Sequence, residues 1–436
     1  MNGEIQSILK EVLAESLQQL AENQGQDGLV PRDLKLEWMP RKATVLKGIR
    51  RSGKSTLAEM SVLKNCQGQK VLKMNFADER IHQLKVSDLQ WCLHAFFELC
   101  PEAEDQDFIW MIFDEIQLIE GWELFIERLL RHPKYRITVT GSSSKLLSQE
   151  IATELRGRSL QYEVFPLSLD EWLRAKKINK LKLESSISKK NQFLNQFLTT
   201  GGFPELLMAS SASYKKILQE YFESICFRDI VERKNLENVS AVKDLALTLA
   251  GQHAQFVTVN KTYERLKSQG HKIQKEFVST VFEALQDSYS FFFVPIWSES
   301  RSKQMVNPKK VYCVDSGLVN AVRAGFLKNM GRLFEGAVFC ELLRREYKVF
   351  YFKTESGLEV DFIAQDQEEQ LYAIQVCYEL TSENIGREVQ SLIELHEDKK
   401  MKKTKLILIL SSKADFKLDI PDFINVQTAW DFFLKK

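Results

Sequence analysis

A chain of 436 residues exceeds one ordinary core, and a prior of roughly 100–200 residues per domain leads us to expect about three or four domains. Apolar residues make up 44% of it, yet no apolar run approaches the ~20 residues that span a bilayer, and Met1 to Gln6 lack the basic and apolar segments of a secretory signal, so a cytoplasmic chain without membrane contact is expected. Sixty basic against fifty-nine acidic residues give no bulk charge that announces a nucleic acid, and seven cysteines without a C-x-x-C pair argue against a disulfide framework or a zinc cluster.

Residues 1–40 open with an amphipathic helix. Ile5, Ile8, Leu9, Val12, Leu13, Leu17 and Leu20 recur at three- and four-residue steps, which predicts docking onto the domain that follows. Its polar face carries Glu4, Glu11, Glu15 and Glu22, unlike a membrane-surface helix.

Residues 41–166 alternate strands and helices, the pattern of a mostly parallel sheet covered on both faces. Predicted strands are 43–47, 71–76, 108–113, 136–140 and 160–164, and ligands of such sheets bind at the carboxyl ends of strands. After the first strand comes Gly48-Ile49-Arg50-Arg51-Ser52-Gly53-Lys54-Ser55, which matches G-x-x-x-x-G-K-[ST] at every fixed position and leads through Thr56 into a helix. Its glycines let successive N–H groups face one anion, and the helix adds its positive end. Lys54 is expected on the outer phosphates of ATP and Ser55 on Mg²⁺.

The strand Phe108 to Phe113 delivers Asp114 and Glu115. Asp114 is expected to hold the metal and Glu115 to activate water as general base. The next central strand delivers Ser142, Ser143 and Ser144; Ser142 is the expected sensor of the terminal phosphate, while Ser144 also suits a helix cap. Arg156 and Arg158 follow, one of them expected to reach a neighbouring subunit's ATP, with pairing to surface acids as the alternative.

Residues 167–240 are helical in pattern and would form a lid, with Gly201-Gly202-Phe203-Pro204 as a hinge. Residues 241–320 give two short helices separated by Gly270, then a predicted hairpin with the basic loop Arg301 to Lys310 at its tip, which is the order of a winged helix. Lys272, Lys275, Arg301, Lys303, Lys309 and Lys310 are the expected DNA-phosphate contacts; docking of a protein is the alternative use of such a module.

Residues 321–436 read helix, three strands, helix, strand, an order that resembles the restriction-endonuclease-like superfamily. That resemblance implies a metal site with Glu335, Glu359 and Asp361 as carboxylates. Gln375 stands where a further carboxylate is expected and Cys377 where a lysine is expected, so a non-cleaving fold is anticipated, with Lys353 as a candidate replacement charge.

The Gly48–Ser55 loop, Asn75 to Arg80, Phe113 to Gln117 with Gly121-Trp122, Gly141 to Leu147, Leu155 to Arg158, Gly201 to Glu205, Phe227 to Ile230, Gly331 to Glu335, Glu359 to Phe362 and Ile374 to Cys377 together resemble the bacterial and archaeal AAA-type ATP-binding proteins that carry a C-terminal domain of unknown function 4143. The resemblance covers nearly the whole chain. It implies an AAA+ α/β core, Mg-ATP as cofactor, and homo-oligomers, a hexameric ring among them, with nucleotide between subunits. The expected function is an ATPase that translocates along or remodels duplex or branched DNA. The alternatives are an ATP-driven signalling or defence switch that recruits a protein, and an ATP-gated nuclease.

Overall fold

The computed structural model describes residues 2–23, 30–141, 155, 157–179, 183, 186–323, 329–412 and 420–434. It divides into two compact units, Met1–Val164 and Phe165–Lys436.

The first unit is built on a parallel sheet. Strands β1 (Ala43–Lys47), β2 (Val71–Asn75), β3 (Ile109–Asp114), β4 (Tyr135–Gly141) and β5 (Ser159–Glu163) take the order β2-β3-β4-β1-β5. All five lie where the apolar runs predicted them. β1 and β3 are buried along their whole length, as strands covered on both faces must be. Helices α1 (Asn2–Asn23), α2 (Lys54–Asn65), α3 (Leu89–Leu99) and α4 (Trp122–Leu129) belong to this unit. Leu9, Val12 and Leu13 of α1 join Leu93 and Phe96 of α3 and Met74 and Phe113 of the sheet in one core, so the N-terminal helix docks as its periodicity predicts. Arg80 fixes it from outside, donating to both carboxylate oxygens of Glu15 at 3.0 and 2.7 Å. Leu57, Ala58 and Val62 of α2 pack against Leu46, Trp110 and Ile112 in a second cluster.

The second unit begins with helices Leu169–Ala175, Ile187–Thr200 and Tyr214–Ser224, the last continuing as a π-helix over Ile225–Glu232. The hinge expected at Gly201-Gly202 is a close-packed contact. A Cβ on Gly202 would lie 2.3 Å from the Leu167 carbonyl oxygen, and the Gly202 N–H donates to buried Asp315 at 2.7 Å.

Helices Val239–Gly251, Val259–Ser268 and Lys275–Asp287 follow, with an antiparallel sheet of β6 (Gln255–Val257), β7 (Phe291–Val294) and β8 (Lys309–Cys313) in the order β6-β8-β7. The expected basic loop at 301–310 is instead mostly helix, Arg301–Val306, started by Ser300, whose hydroxyl accepts the Lys303 N–H.

The C-terminal part pairs helix Met330–Arg344 with a mixed sheet of β9 (Lys348–Lys353), β10 (Glu359–Gln365), β11 (Leu371–Cys377), β12 (Lys405–Leu410) and β13 (Ile424–Thr428), ordered β13-β12-β11-β10-β9. β9, β10 and β11 are antiparallel neighbours; β11, β12 and β13 run parallel. Helix Ile385–Glu397 lays Val389, Leu392 and Leu395 on Val360, Ile363 and Leu408. β13 and the helix Ala429–Leu434 have no counterpart in the sequence expectation. Among the described residues no helix is long and apolar enough to cross a membrane.

Candidate active site

β1 ends at Lys47 and the chain turns through Gly48 with φ +148°, a conformation that disfavours a side chain. Space forbids one as well, since a Cβ there would sit 2.3 Å from the Val164 carbonyl oxygen. Arg51 and Gly53 also take positive φ, so the loop winds tightly before α2 starts at Lys54. Gly53 caps that helix without a side chain, leaving the first-turn N–H groups to an outside acceptor. Ser52 is fully buried with its hydroxyl unpartnered, and Arg32 braces the loop by donating to the Ser52 carbonyl at 2.9 Å. Within the loop Ile49 is buried, and Thr56 on α2 is exposed. The Lys54 ammonium lies inside, 3.1 Å from the Gly48 carbonyl oxygen and 2.8 Å from that of Ile49.

The register of β3 against β4 sets Asp114 opposite Thr140. Asp114 is 7% exposed, and its Oδ1 accepts from Ser55 Oγ at 2.9 Å and from the Thr140 hydroxyl. Burial pushes its carboxyl above the usual range, while the Thr140 and Ser55 hydroxyls pull it back. A Ser hydroxyl and an Asp carboxylate bonded to each other are hard oxygen donors of the kind Mg²⁺ uses, and the amide-lined loop beside them suits phosphate; the residues fit both groups. Glu115 holds an αL conformation at φ +54°, half-buried, and Gln117 donates to its Oε2.

Thr140 and Gln117 are site residues that the sequence reading missed. The register and the side-chain hydrogen bonds reveal them; in sequence Thr140 only ends a predicted strand, and Gln117 lies in the Phe113 to Gln117 segment without a role of its own. Ser142 and Arg156 lie outside the described residues. Arg158 is half-buried, its backbone carbonyl accepting from the Ala43 N–H at 2.9 Å.

In the second unit Lys272, Lys275, Arg301, Lys303 and Lys309 are exposed. Lys310 is not, and its expected role as a DNA contact is corrected here. Alternation along β8 turns its side chain inward, 3% exposed, onto three carboxylates: Glu335 at 2.8 Å, Asp361 at 3.1 Å, and Glu359. Lys353, the expected replacement charge, is exposed and lies over the Phe256 ring, 4.5 Å from its centroid. Gln375 does not point at the carboxylates as a ligand: its Oε1 accepts the Asp361 N–H and its amide donates to Glu388 at 2.9 Å.

Burial raises the Glu335 carboxyl to about 7 against the pull of Lys310. The fold therefore binds this proton more tightly than the unfolded chain, whose carboxyl sits near 4.5, and stability from this group is lost as pH rises from about 4.5 through about 7. In Glu335→Gln that loss disappears. Its urea midpoint relative to the parent should climb across this window and level off above it; a constant difference would show that Glu335 does not titrate there.

Three family models match the chain: an AAA domain over residues 40–173, a domain of unknown function (DUF8612) over 191–329, and a domain of unknown function (DUF4143) over 330–429. An uncharacterized protein of Methanocaldococcus jannaschii is 33% identical over 417 residues, spanning 93% of this chain and 91% of that protein. An uncharacterized protein of Haemophilus influenzae is 29% identical over 360 residues, 82% and 87% of the two chains. Among solved structures, a Walker-type ATPase of Pyrococcus abyssi aligns with a TM-score of 0.45 at 15% identity, covering 72% of this chain and 95% of that one.

Proposed function

Because this chain belongs to the family that joins an AAA domain to the C-terminal domain DUF4143, we propose that it is a Mg-ATP-dependent ATPase that acts on DNA. The observation that carries the ATPase reading is the convergence of Lys54, Ser55, Asp114 and Thr140 at the carboxyl ends of β1, β3 and β4. Bound Mg²⁺ supplies neutralisation of the charge that develops on the phosphates. The Gly48–Ser55 amides and Lys54 bind and orient the triphosphate. Asp114, kept in place by Ser55 and Thr140, holds the metal with the Ser55 hydroxyl. Glu115 takes a proton from the attacking water, and Gln117 fixes its rotamer. Arg158 or Arg156 completes a neighbouring subunit's site in a ring-like homo-oligomer.

The DNA reading is supported by the order of helices 259–268 and 275–287 ahead of the β7–β8 pair, with five exposed cations around them. In this division, 167–240 is a lid, 241–320 a winged helix and 321–436 a non-cleaving nuclease-like fold. Met305 and Val306, 79% and 83% exposed on the helix between β7 and β8, favour a second reading in which the same module docks a protein. Phosphate release measured with and without single-stranded, duplex and branched DNA separates them. Stimulation by DNA that is lost in Lys272→Ala/Lys275→Ala and weakens with salt is expected. An ATPase indifferent to all three DNAs rejects the DNA reading, and phosphate release unchanged in Lys54→Ala rejects the ATPase.

A further inference from the structure

Lys310 follows an exposed lysine at the start of β8, the central strand of the small sheet, yet its ammonium is among the most enclosed charges of the second unit. An ammonium has three N–H donors and no acceptor, and here each donor meets a carboxylate: Glu335 from helix 330–344, and Glu359 and Asp361 from β10. These partners lie 25 to 51 residues away in sequence, brought together by tertiary packing. The remaining contacts hold the carboxylates in place. Tyr312 donates to Glu335 at 2.5 Å, and the Val376 N–H donates to Asp361 at 3.0 Å.

The cluster opens on a cavity of about 920 Å³ that Arg332, Glu388 and Ser391 also line. Ser391 is 1% exposed and its hydroxyl has no hydrogen-bond partner, so the cavity wall keeps an unused oxygen. Three carboxyl groups face one ammonium, an excess of acid over base, and hard oxygens converging on one point are what a divalent cation seeks. Their spacing, however, is that of hydrogen bonds to nitrogen. The Lys310 nitrogen occupies the point on which the three carboxylates converge, within ion-pair reach of each, so the position a divalent cation would take is filled, and among the described residues no group of His, Cys, Asp and Glu is spaced to hold a metal.

We propose that the Lys310 ammonium is the resident cation of this cluster, an intramolecular plug that closes the C-terminal cavity to divalent metal, and that removing it turns Glu335, Glu359 and Asp361 into a metal site. The basic strand that sequence order assigns to a DNA-facing wing thereby holds the nuclease-like centre in a metal-free state. This inference does not depend on ATP hydrolysis.

The test is a Mn²⁺ titration of the full nucleotide-free chain, with free Mn²⁺ read by electron paramagnetic resonance. Compared with Asp361→Asn, which calibrates binding elsewhere, the parent protein should bind no additional Mn²⁺. Lys310→Met should gain one equivalent, lost again in Lys310→Met/Asp361→Asn. If the parent binds an equivalent that Asp361→Asn abolishes, Lys310 is no plug and the proposal falls; it falls equally if folded Lys310→Met gains none. Should Lys310→Met fail to fold, Mn²⁺ in the refolding buffer should restore its folded circular-dichroism signal, and no restoration overturns the proposal.

Discussion

Glu115→Gln should retain nucleotide and lose phosphate release by a factor of roughly 10²–10⁴, the usual contribution of a positioned general base. The amide keeps the size and planarity of the carboxylate, so Lys54, Ser55 and Asp114 keep their hydrogen bonds and the phosphate grip persists. What it lacks is an oxygen basic enough to accept a proton. The αL backbone at φ +54° and the Gln117 amide aim the carboxylate, and neither depends on the charge being present. Filter binding of labelled ATP alongside single-turnover phosphate release checks the result. Turnover at the parent rate would remove Glu115 from the mechanism, and loss of binding would make it part of the nucleotide grip.

The largest stability effect is expected at Lys310. Removing one partner of a buried ion cluster leaves the other charges uncompensated, which costs about 3–5 kcal/mol. Lys310→Met keeps most of the apolar stem but strands Glu335, Glu359 and Asp361 together. Burial opposes the ammonium charge, but Glu335, Tyr312, Asp361 and Glu359 outweigh it and hold its pKa well above the ordinary range, so the parent keeps the charge at any workable pH. A solvated phosphate-contacting lysine behaves differently, since surface substitutions stay within about ±0.5 kcal/mol. Urea denaturation followed in the second unit distinguishes the two. Adding Glu335→Gln and Asp361→Asn to Lys310→Met should recover much of the loss, because the charges that became unpaired are gone.

The glycine-rich loop over 48–55, the five parallel strands and the strand-end pair Asp114-Glu115 were legible from residue order alone. Their determinants are local: glycines at fixed spacing, apolar runs of strand length, carboxylates directly after one of them. The docking of α1 was legible for the same reason, its apolar face being written at three- and four-residue steps. Thr140 was not, because its hydroxyl meets Asp114 through a register between strands, 26 residues away in sequence, and the expected sensing hydroxyl was that of Ser142, two positions on. Helix 301–306 was hidden by its lysine and arginine, which read as a loop until the Ser300 cap is seen.

Lys310 marks the boundary between the two kinds of information. Beside Lys309 in sequence it reads as one more exposed cation, and only the pleat of β8 and the arrival of helix 330–344 and β10 bury it among carboxylates. Sequence by itself determined which short-range geometries could form; the tertiary structure decided which charges meet. Electrostatic partners are chosen by distance in space and by exclusion of water, and neither is encoded in spacing along the chain.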